Sequence, residues 1–194
     1  MIRSLIFDCF GVLYWDDLNR LYNLVSPAKF QDLSDVMHAC DHGYISKQDF
    51  LSQVADLAGI SVEAVAAVMH DKHRRNDDMI RRVRELKQDY KIGLLTNMGP
   101  GTLDEIFPEQ ERAELFDSVV ISSEVGMIKP SRDIFELALQ HIGTSPDETV
   151  FIDDRPVNVE GAERVGMRTI LFTNNAQFEA ELSALTKAAD ARTA

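Results

Sequence analysis

The apolar residues of the chain form two kinds of pattern. Five short runs are continuously apolar instead of alternating, as is typical of strands buried on both faces of a parallel sheet. They predict strands at 4–8, 91–96, 118–122, 149–153 and 168–172. Helical patterns lie between the later runs: one begins after Pro130 and ends at Gly143, and a shorter one begins at Thr102, where Glu105 completes the spacing of a capping box. This alternation predicts an α/β fold with a doubly wound, Rossmann-like parallel sheet.

Residues 14–78 follow a different pattern. Three or four segments with helical apolar spacing succeed one another there without a convincing strand, at 17–25, 28–39, 47–58 and 62–73. Ser46, followed three residues later by Asp49, predicts a capping box for the third segment. We therefore expect a small α-helical cap at 14–78, inserted after the first strand of an α/β core that consists of 1–13 and 79–194.

Composition and charge narrow the classes of partner. The 194 residues include 32 acidic and 20 basic side chains, a formal charge of −12, and such a surface repels nucleic acid and anionic lipid. No run approaches the roughly 18 apolar residues of a membrane span, and Asp8 interrupts the N-terminal apolar stretch, which argues against a signal peptide. Cys9 and Cys40 lack metal-ligand spacing, and we expect reduced thiols. These features predict a cytoplasmic protein that binds neither nucleic acid nor membrane, and they leave its oligomeric state open.

Polar residues stand at the ends of the predicted strands. Asp8 ends the first strand, Thr96 and Asn97 end the second, Lys129 follows the third, and the pair 153–154, two aspartates, ends the fourth. Open parallel sheets bind their ligands just outside the carboxyl ends of their strands. We therefore expect these side chains, which are distant in sequence, to meet at one edge of the sheet.

The chemistry of this set is that of a phosphate site. Asp8, Asp153 and Asp154 would repel one another without a cation, and hard oxygen ligands with room for water suit Mg²⁺. A metal that neutralises phosphate oxygens leaves a carboxylate free to attack phosphorus. Thr96, Asn97 and the N–H groups of the following glycine loop could hold the remaining phosphate oxygens, and a lysine could offset the excess negative charge. The pattern predicts phosphoryl transfer from a small phosphorylated metabolite.

These segments resemble the four motifs of the haloacid dehalogenase-like (HAD) hydrolases. The matching stretches are FDCFGVL, LLTN, GMIKP and VFIDDRPVNVEGA. The resemblance extends from residue 2 to about residue 173 and places the helical insertion where the family carries its C1 cap. The short GVL and DDRPVN segments are similar to the branch of sugar-1-phosphate phosphatases.

The resemblance implies a role for each residue of the cluster. It implies that Asp8 is the nucleophile, that Lys129 braces Asp8 and the phosphate, and that Thr96 and Asn97 bind phosphate. The implied magnesium ligands are Asp8, the backbone carbonyl of Phe10, Asp154, and Asp153 either beside it or one water away. Asn158, one helical turn after the aspartate pair, is implied to orient the site.

The sequence departs from the family pattern at Phe10. Most phosphatases of the family have an aspartate there, which protonates the leaving oxygen and then activates water, and such general acid–base assistance is worth roughly 10²–10⁴-fold. A phosphatase without it needs a substrate with a good leaving group, possible examples being sugar phosphates, or an acid from the cap. The candidate acids are Asp16, Asp17, His38 and His42.

Two other functions compete with the phosphatase. Dehalogenases of 2-haloacids carry an aromatic residue at the position of Phe10, but they need no metal and do not keep the paired aspartates 153–154. A pseudo-enzyme that only binds a phosphorylated ligand or a partner protein would gain nothing from a nucleophile at Asp8. Metal-dependent release of phosphate, metal-independent release of chloride, and binding without turnover distinguish the three.

Overall fold

The computed structural model describes residues 1–15, 19–71 and 74–190. In chain order its strands are β1 (Ser4–Phe7), β2 (Tyr14–Trp15), β3 (Arg74–Arg75), β4 (Lys91–Thr96), β5 (Ser118–Ile121), β6 (Thr149–Asp153) and β7 (Arg168–Leu171). Five of them form a parallel sheet in the order β5-β4-β1-β6-β7. These five are the strands that the apolar runs predict, which confirms the predicted doubly wound sheet.

Helices connect the strands and cover both faces of the sheet. They are α1 (Asn19–Tyr22), α2 (Phe30–Asp41), α3 (Lys47–Ala58), α4 (Val62–Asp71), α5 (Asp77–Leu86), α6 (Thr102–Ile106), α7 (Glu109–Leu115), α8 (Ser122–Val125), α9 (Arg132–Ile142), α10 (Pro156–Val165) and α11 (Asn175–Asp190). The capping box of Ser46 and Asp49 is present at the start of α3. The predicted capping box at Thr102 is wrong, because Gly101, in a left-handed conformation, is the N-cap of α6 and Thr102 is already helical.

Alternation along the strands sends side chains to two separate core clusters. Phe7 of β1 packs on the face covered by α5 and α11, where its ring lies 5.8 Å from the ring of Phe178. Ile6 points to the opposite face and joins Phe135 of α9 and Ala162 of α10. Strands that are buried on both faces need apolar residues at every position, which explains why the five runs are continuous.

The insertion after β1 has an apolar cluster of its own. Helices α1–α4 bury residues that include Leu33, Phe50, Val54 and Val65 against one another. Strands β2 and β3 pair antiparallel where the chain leaves and re-enters the core, which corrects the expectation of a strand-free segment at 14–78. No single helix of the described residues is long and apolar enough to cross a membrane; the pair Lys47–Ala58 and Val62–Met69 reaches that length and composition only across a 109° bend.

The cap helix α2 is held to the core by close polar contacts. The hydroxyl of Ser122 donates to the carbonyl of Asp41 at 2.6 Å and accepts from the N–H of Met98 at 2.9 Å. A Cβ at Gly43 would lie 2.3 Å from the carbonyl oxygen of Ser123, so only glycine permits this approach of the two backbones. The end of α2 therefore rests directly on the loops that follow β4 and β5.

Candidate active site

The centre of the site is a buried ammonium between two carboxylates. The Nζ of Lys129 lies 2.8 Å from Asp8 Oδ1 and 2.8 Å from Asp153 Oδ2, and it donates to the carbonyl of Leu95 at 3.0 Å. Asp8 is 5% exposed, Lys129 3% and Asp153 0%. The three ammonium protons thus each have an acceptor, and the Lys129 side chain is fixed in place.

The strands themselves position the two carboxylates. The N–H of Asp8 donates to the carbonyl of Ile152 at 2.8 Å and extends the pairing of β1 with β6 by one residue. Asp153 is the last residue of β6, so the ends of two neighbouring strands bring the aspartates together. The N–H of Cys9 donates to Asp8 Oδ1 at 2.6 Å. The oxygen Oδ1 of Asp8 is therefore the one held by the protein.

Burial dominates the electrostatics of this pair. Loss of water raises the pKa of Asp8 well above its usual value, the charge of Asp153 raises it further, and the ammonium of Lys129 opposes both effects. Burial alone would lower the pKa of Lys129, but the two carboxylates outweigh it and raise that pKa above its ordinary value. The lysine is therefore charged at neutral pH, and a further cation would favour the charged form of Asp8, which burial disfavours.

Both carboxylate oxygens of Asp153 accept hydrogen bonds from the surrounding protein. Its Oδ1 accepts from the N–H of Arg155 at 2.9 Å and from Nδ2 of Asn158 at 3.1 Å. Its Oδ2 accepts from Asn158 at 3.0 Å and from Lys129. Asn158 is 1% exposed, and its own Oδ1 has no hydrogen-bond partner. Asp153 thus braces the lysine and the start of α10, while one buried amide oxygen is left to accept from a bound group.

Asp154 is the exposed member of the acidic cluster. Each of Asp8, Asp153 and Asp154 offers an oxygen that lies within 4.8 Å of the others. Partial loss of water raises the pKa of Asp154 to about 6, and the neighbouring charge of Asp153 contributes. A Cβ on Gly11, whose φ is +87°, would lie 2.2 Å from Asp154 Cγ. Glycine at this turn therefore lets the backbone after Asp8 lie against the carboxylate.

The donor set fits a hard divalent cation. It supplies oxygens of three carboxylates from two segments and the unsatisfied amide oxygen of Asn158, and it lies beside a glycine turn that leaves no room for a side chain. Mg²⁺ prefers such oxygen ligands and keeps part of its water shell. Clustered carboxylates with a single lysine between them also carry uncompensated negative charge, which a cation offsets.

The two predicted phosphate ligands after β4 lie in different surroundings. The side-chain amide of Asn97 pairs with the backbone of Lys129: its Nδ2 donates to the lysine carbonyl at 3.0 Å, and its Oδ1 accepts from the lysine N–H at 2.8 Å. Asn97 lines the cavity above the site, but its amide holds the loop that carries Lys129. Thr96 is fully buried, its hydroxyl 3.5 Å from the Asn97 carbonyl, and does not line the cavity. Phosphate binding by the two residues stays a prediction.

A cavity of about 300 Å³ opens above the cluster, between core and cap. Asp8, Phe10, Lys129, Asp154 and Asn158 line its floor. The cap contributes Leu21, Met37, Cys40, Asp41, Lys47, Phe50, Leu51 and Met69. Sequence reasoning missed this cap lining, because helical periodicity marks an apolar face without showing which of its residues reach a cavity. It also missed Arg155, which lines the cavity and could have been found from its place directly after the aspartate pair.

The candidate acids of the cap do not reach this cavity where they are described. His38 is exposed, and His42 stacks on Tyr44 at 4.8 Å with its Nδ1 3.4 Å from the carbonyl of Gly126. Neither histidine lines the cavity. Asp16 and Asp17 lie outside the described residues.

Comparison with known proteins identifies the family. The chain matches the model of the haloacid dehalogenase-like hydrolases over residues 2–166. It belongs to this family of hydrolases. It is 28% identical to the sesquiterpene phosphatase astK of Aspergillus oryzae over 183 residues, which cover 89% of this chain and 91% of that protein.

Two further relatives share the family and the fold. The D-ribitol-5-phosphate phosphatase of Bacteroides thetaiotaomicron is 22% identical over 206 residues, or 95% of this chain and 98% of that protein. The crystal structure of the HAD family enzyme BT-2542 from the same organism, a complex with magnesium and inorganic phosphate, matches with a TM-score of 0.74 at 23% identity and covers 89% of this chain and 95% of that one. At this identity the structural match establishes a common fold.

Proposed function

We propose that this hydrolase is a magnesium-dependent phosphatase that transfers the phosphoryl group of a small phosphorylated metabolite to Asp8. The observation that carries the proposal is the placement of the Asp8 carboxylate, held by Lys129 at 2.8 Å, on the floor of a cavity beside Asp154. The phosphatase names of two relatives and the magnesium and phosphate bound to BT-2542 support it.

Each residue of the cluster has its own role in the transfer of the phosphoryl group. Since Lys129 and the N–H of Cys9 both contact Oδ1 of Asp8, we assign the attack on phosphorus to Oδ2. The bond from phosphorus to the leaving oxygen breaks as the bond to Asp8 forms, and the leaving oxygen takes the electron pair. Lys129 stays protonated, orients the nucleophile and compensates part of the phosphate charge. The N–H groups of the glycine loop after Asn97 bind the remaining phosphate oxygens, while the Asn97 side chain holds the loop that carries Lys129.

The same cluster would hold the metal. The ligands would be Asp8, the backbone carbonyl of Phe10 and Asp154, with Asp153 beside them. Asn158 would orient the site by donating from its Nδ2 to both oxygens of Asp153. Bound Mg²⁺ supplies charge neutralisation of the phosphate oxygens. The cap, residues 14–78, closes the cavity over the core formed by 1–13 and 79–194, and we propose a cytoplasmic location.

Phe10 limits the choice of substrate. Phe10 lines the cavity, and its side chain has no proton to donate to a leaving oxygen. We therefore propose substrates whose leaving group departs readily without protonation. Sugar phosphates with a good leaving group are one such class, and the ribitol-5-phosphate phosphatase is a relative with a polyol substrate in its name. The name of the sesquiterpene phosphatase contains an apolar substrate, a sesquiterpene.

An assay of leaving groups tests the proposal. Phosphate release from aryl and anomeric phosphates is compared with release from simple alkyl phosphates, with Mg²⁺ and with EDTA. We expect metal-dependent turnover that falls steeply as the pKa of the leaving group rises. Asp8→Asn should abolish it, while Asp89→Asn, a matched change at an exposed aspartate, should not.

Other outcomes would replace the proposal. Equal rates on alkyl and aryl esters would reveal a general acid elsewhere in the chain. Release of chloride from 2-chloropropionate in the presence of EDTA would identify a dehalogenase, the function that an aromatic residue at position 10 favours. Binding of phosphate esters without any turnover would identify a pseudo-enzyme.

A further inference from the structure

One side of the cavity is apolar. Five residues from the four cap helices α1–α4 line it and form what we call the cap wall: Leu21, Met37, Phe50, Leu51 and Met69. From the core, Phe10 and Met98 add two more apolar side chains. A ligand whose phosphate lies on Asp8 therefore meets hydrocarbon on the cap side.

The polar groups of the cap are few in comparison. Among the described cap residues that line the cavity, Asp41 and Lys47 have charged side chains, and Lys47 forms an ion pair with Glu105 of α6. A sugar or polyol carries several hydroxyl groups, and each loses hydrogen bonds to water unless the site replaces them. The cap wall offers no such replacement along its five side chains. The wall is suited instead to an apolar group, which makes no hydrogen bonds to water that the site would have to replace.

From this lining we infer that the substrate is an aryl phosphate ester, or a phosphoanhydride that carries an alkyl or prenyl group, whose apolar organic part packs against the cap wall. The inference rests on the proposed phosphatase function, because it assumes that the phosphate lies on Asp8. Two members of the wall are methionines, whose unbranched side chains adapt to ligands of different shape. The cap wall therefore selects ligands for their apolar character more than for one particular shape.

A homologous series of substrates isolates this effect. Phosphates of 4-alkylphenols, from methyl to hexyl, differ in apolar surface but hardly in the pKa of the leaving phenol, because an alkyl group is a weak substituent. We expect kcat/KM to rise by up to about fourfold for each methylene that the wall buries, until the cavity is filled. Ribitol 5-phosphate and glucose 1-phosphate should be turned over more slowly than the longer members.

Variants of the wall provide the controls. Met37 is half-buried, so Met37→Gln keeps the length of the side chain, adds polar atoms and should flatten the dependence on chain length. Met37→Leu keeps the wall apolar and should preserve that dependence. Ile60→Gln makes an apolar-to-polar change on the exposed side of the cap, away from the cavity, and should leave the whole series unchanged.

The results separate failure of this inference from failure of the proposed function. A flat series, or faster turnover of the sugar and polyol phosphates, with activity that Asp8→Asn abolishes, would overturn the cap wall as the binding surface and leave the phosphatase standing. If no ester is hydrolysed, the phosphatase fails. The same series is then titrated calorimetrically against the protein with Mg²⁺: affinity that rises with chain length supports the apolar wall, and affinity independent of chain length overturns it.

Discussion

Replacing Lys129 by methionine tests the electrostatic core of the site. The substitution keeps the length and most of the volume of the side chain but removes the ammonium that Asp8, Asp153 and the Leu95 carbonyl share. A hydrogen bond to a charged partner contributes about 1.5–3 kcal/mol, and breaking a buried ion pair on one side costs about 3–5 kcal/mol. We expect a loss of about 4 kcal/mol in the free energy of unfolding at pH 7.5 without divalent ions, a large part of the roughly 5–15 kcal/mol of a typical domain.

The sign of the pH dependence follows from the raised pKa of Asp8. The pKa of this carboxyl group is about 3.9 in the unfolded chain and higher in the folded protein. The group therefore destabilises the folded state increasingly as the pH rises from the unfolded pKa to the folded pKa. Without the lysine, this pKa rises further, because the ammonium is the group that lowers it. The difference in stability between the parent and Lys129→Met should therefore shrink as the pH is lowered from 8 to 5.

Urea unfolding followed by circular dichroism, in EDTA and at several pH values, measures these changes. Lys91→Met is the matched control, since Lys91 is exposed and its ammonium donates to a neutral group, the carbonyl of Ile142, at 3.0 Å. It should cost about 1 kcal/mol or less at every pH. A loss below about 1.5 kcal/mol for Lys129→Met, or a loss that does not change with pH, would refute the assignment of Lys129 as the charge that holds the carboxylates together.

Three further changes have defined outcomes. Gly11→Ala forces a Cβ to within 2.2 Å of Asp154 Cγ at a φ of +87°, and we expect a loss of about 1–3 kcal/mol in stability and at least tenfold weaker Mg²⁺ binding in calorimetry. Glu111→Gln removes the carboxylate whose pKa the hydrogen bond from Arg75 lowers. The pair stabilises the fold above the unfolded pKa of about 4.3, so a loss of about 1 kcal/mol at pH 7 in urea unfolding should disappear as the pH falls through the lowered pKa of Glu111. Ser122→Ala breaks the hydrogen bond to the cap at Asp41 and the one within the core from Met98, and should lower the unfolding free energy by about 1–3 kcal/mol.

Each of these three has a contradicting result. Unchanged Mg²⁺ affinity in Gly11→Ala would show that Asp154 is not held by the turn. A stability difference in Glu111→Gln that persists in acid would point to lost packing instead of charge. A Ser122→Ala variant as stable as the parent would show that water replaces both contacts.

The sequence predicts the sheet well because its signal is local. A strand buried on both faces needs an apolar residue at every position, so each of the five runs is visible by itself. The pairing of β2 with β3 escapes such reasoning, since each strand has only two residues and its partner lies about sixty positions away. The helix start at 102 also misleads, because Gly101 adopts a left-handed conformation that makes it the N-cap.

Some features of the site can likewise be predicted from the sequence, and others cannot. The meeting of Asp8, Lys129 and Asp153 follows from the rule that strand ends share an edge, and the structure brings both aspartates within hydrogen-bond distance of the lysine. The pairing of the Asn97 side chain with the backbone of Lys129 depends on the path of a loop, which residue types do not reveal. The cavity lining depends on how the cap helices lie over the core, a tertiary property.

Three residues of the cap wall have a second task inside the cap. Leu21, Phe50 and Leu51 belong to the apolar cluster that holds α1–α4 together, and they also form the surface of the cavity. A mutation that reshapes the cavity for another ligand therefore excavates or overfills the structural centre of the cap at the same time. Adaptation to new ligands along this route demands compensating replacements elsewhere among the cap helices, so selectivity and cap integrity evolve as one trait.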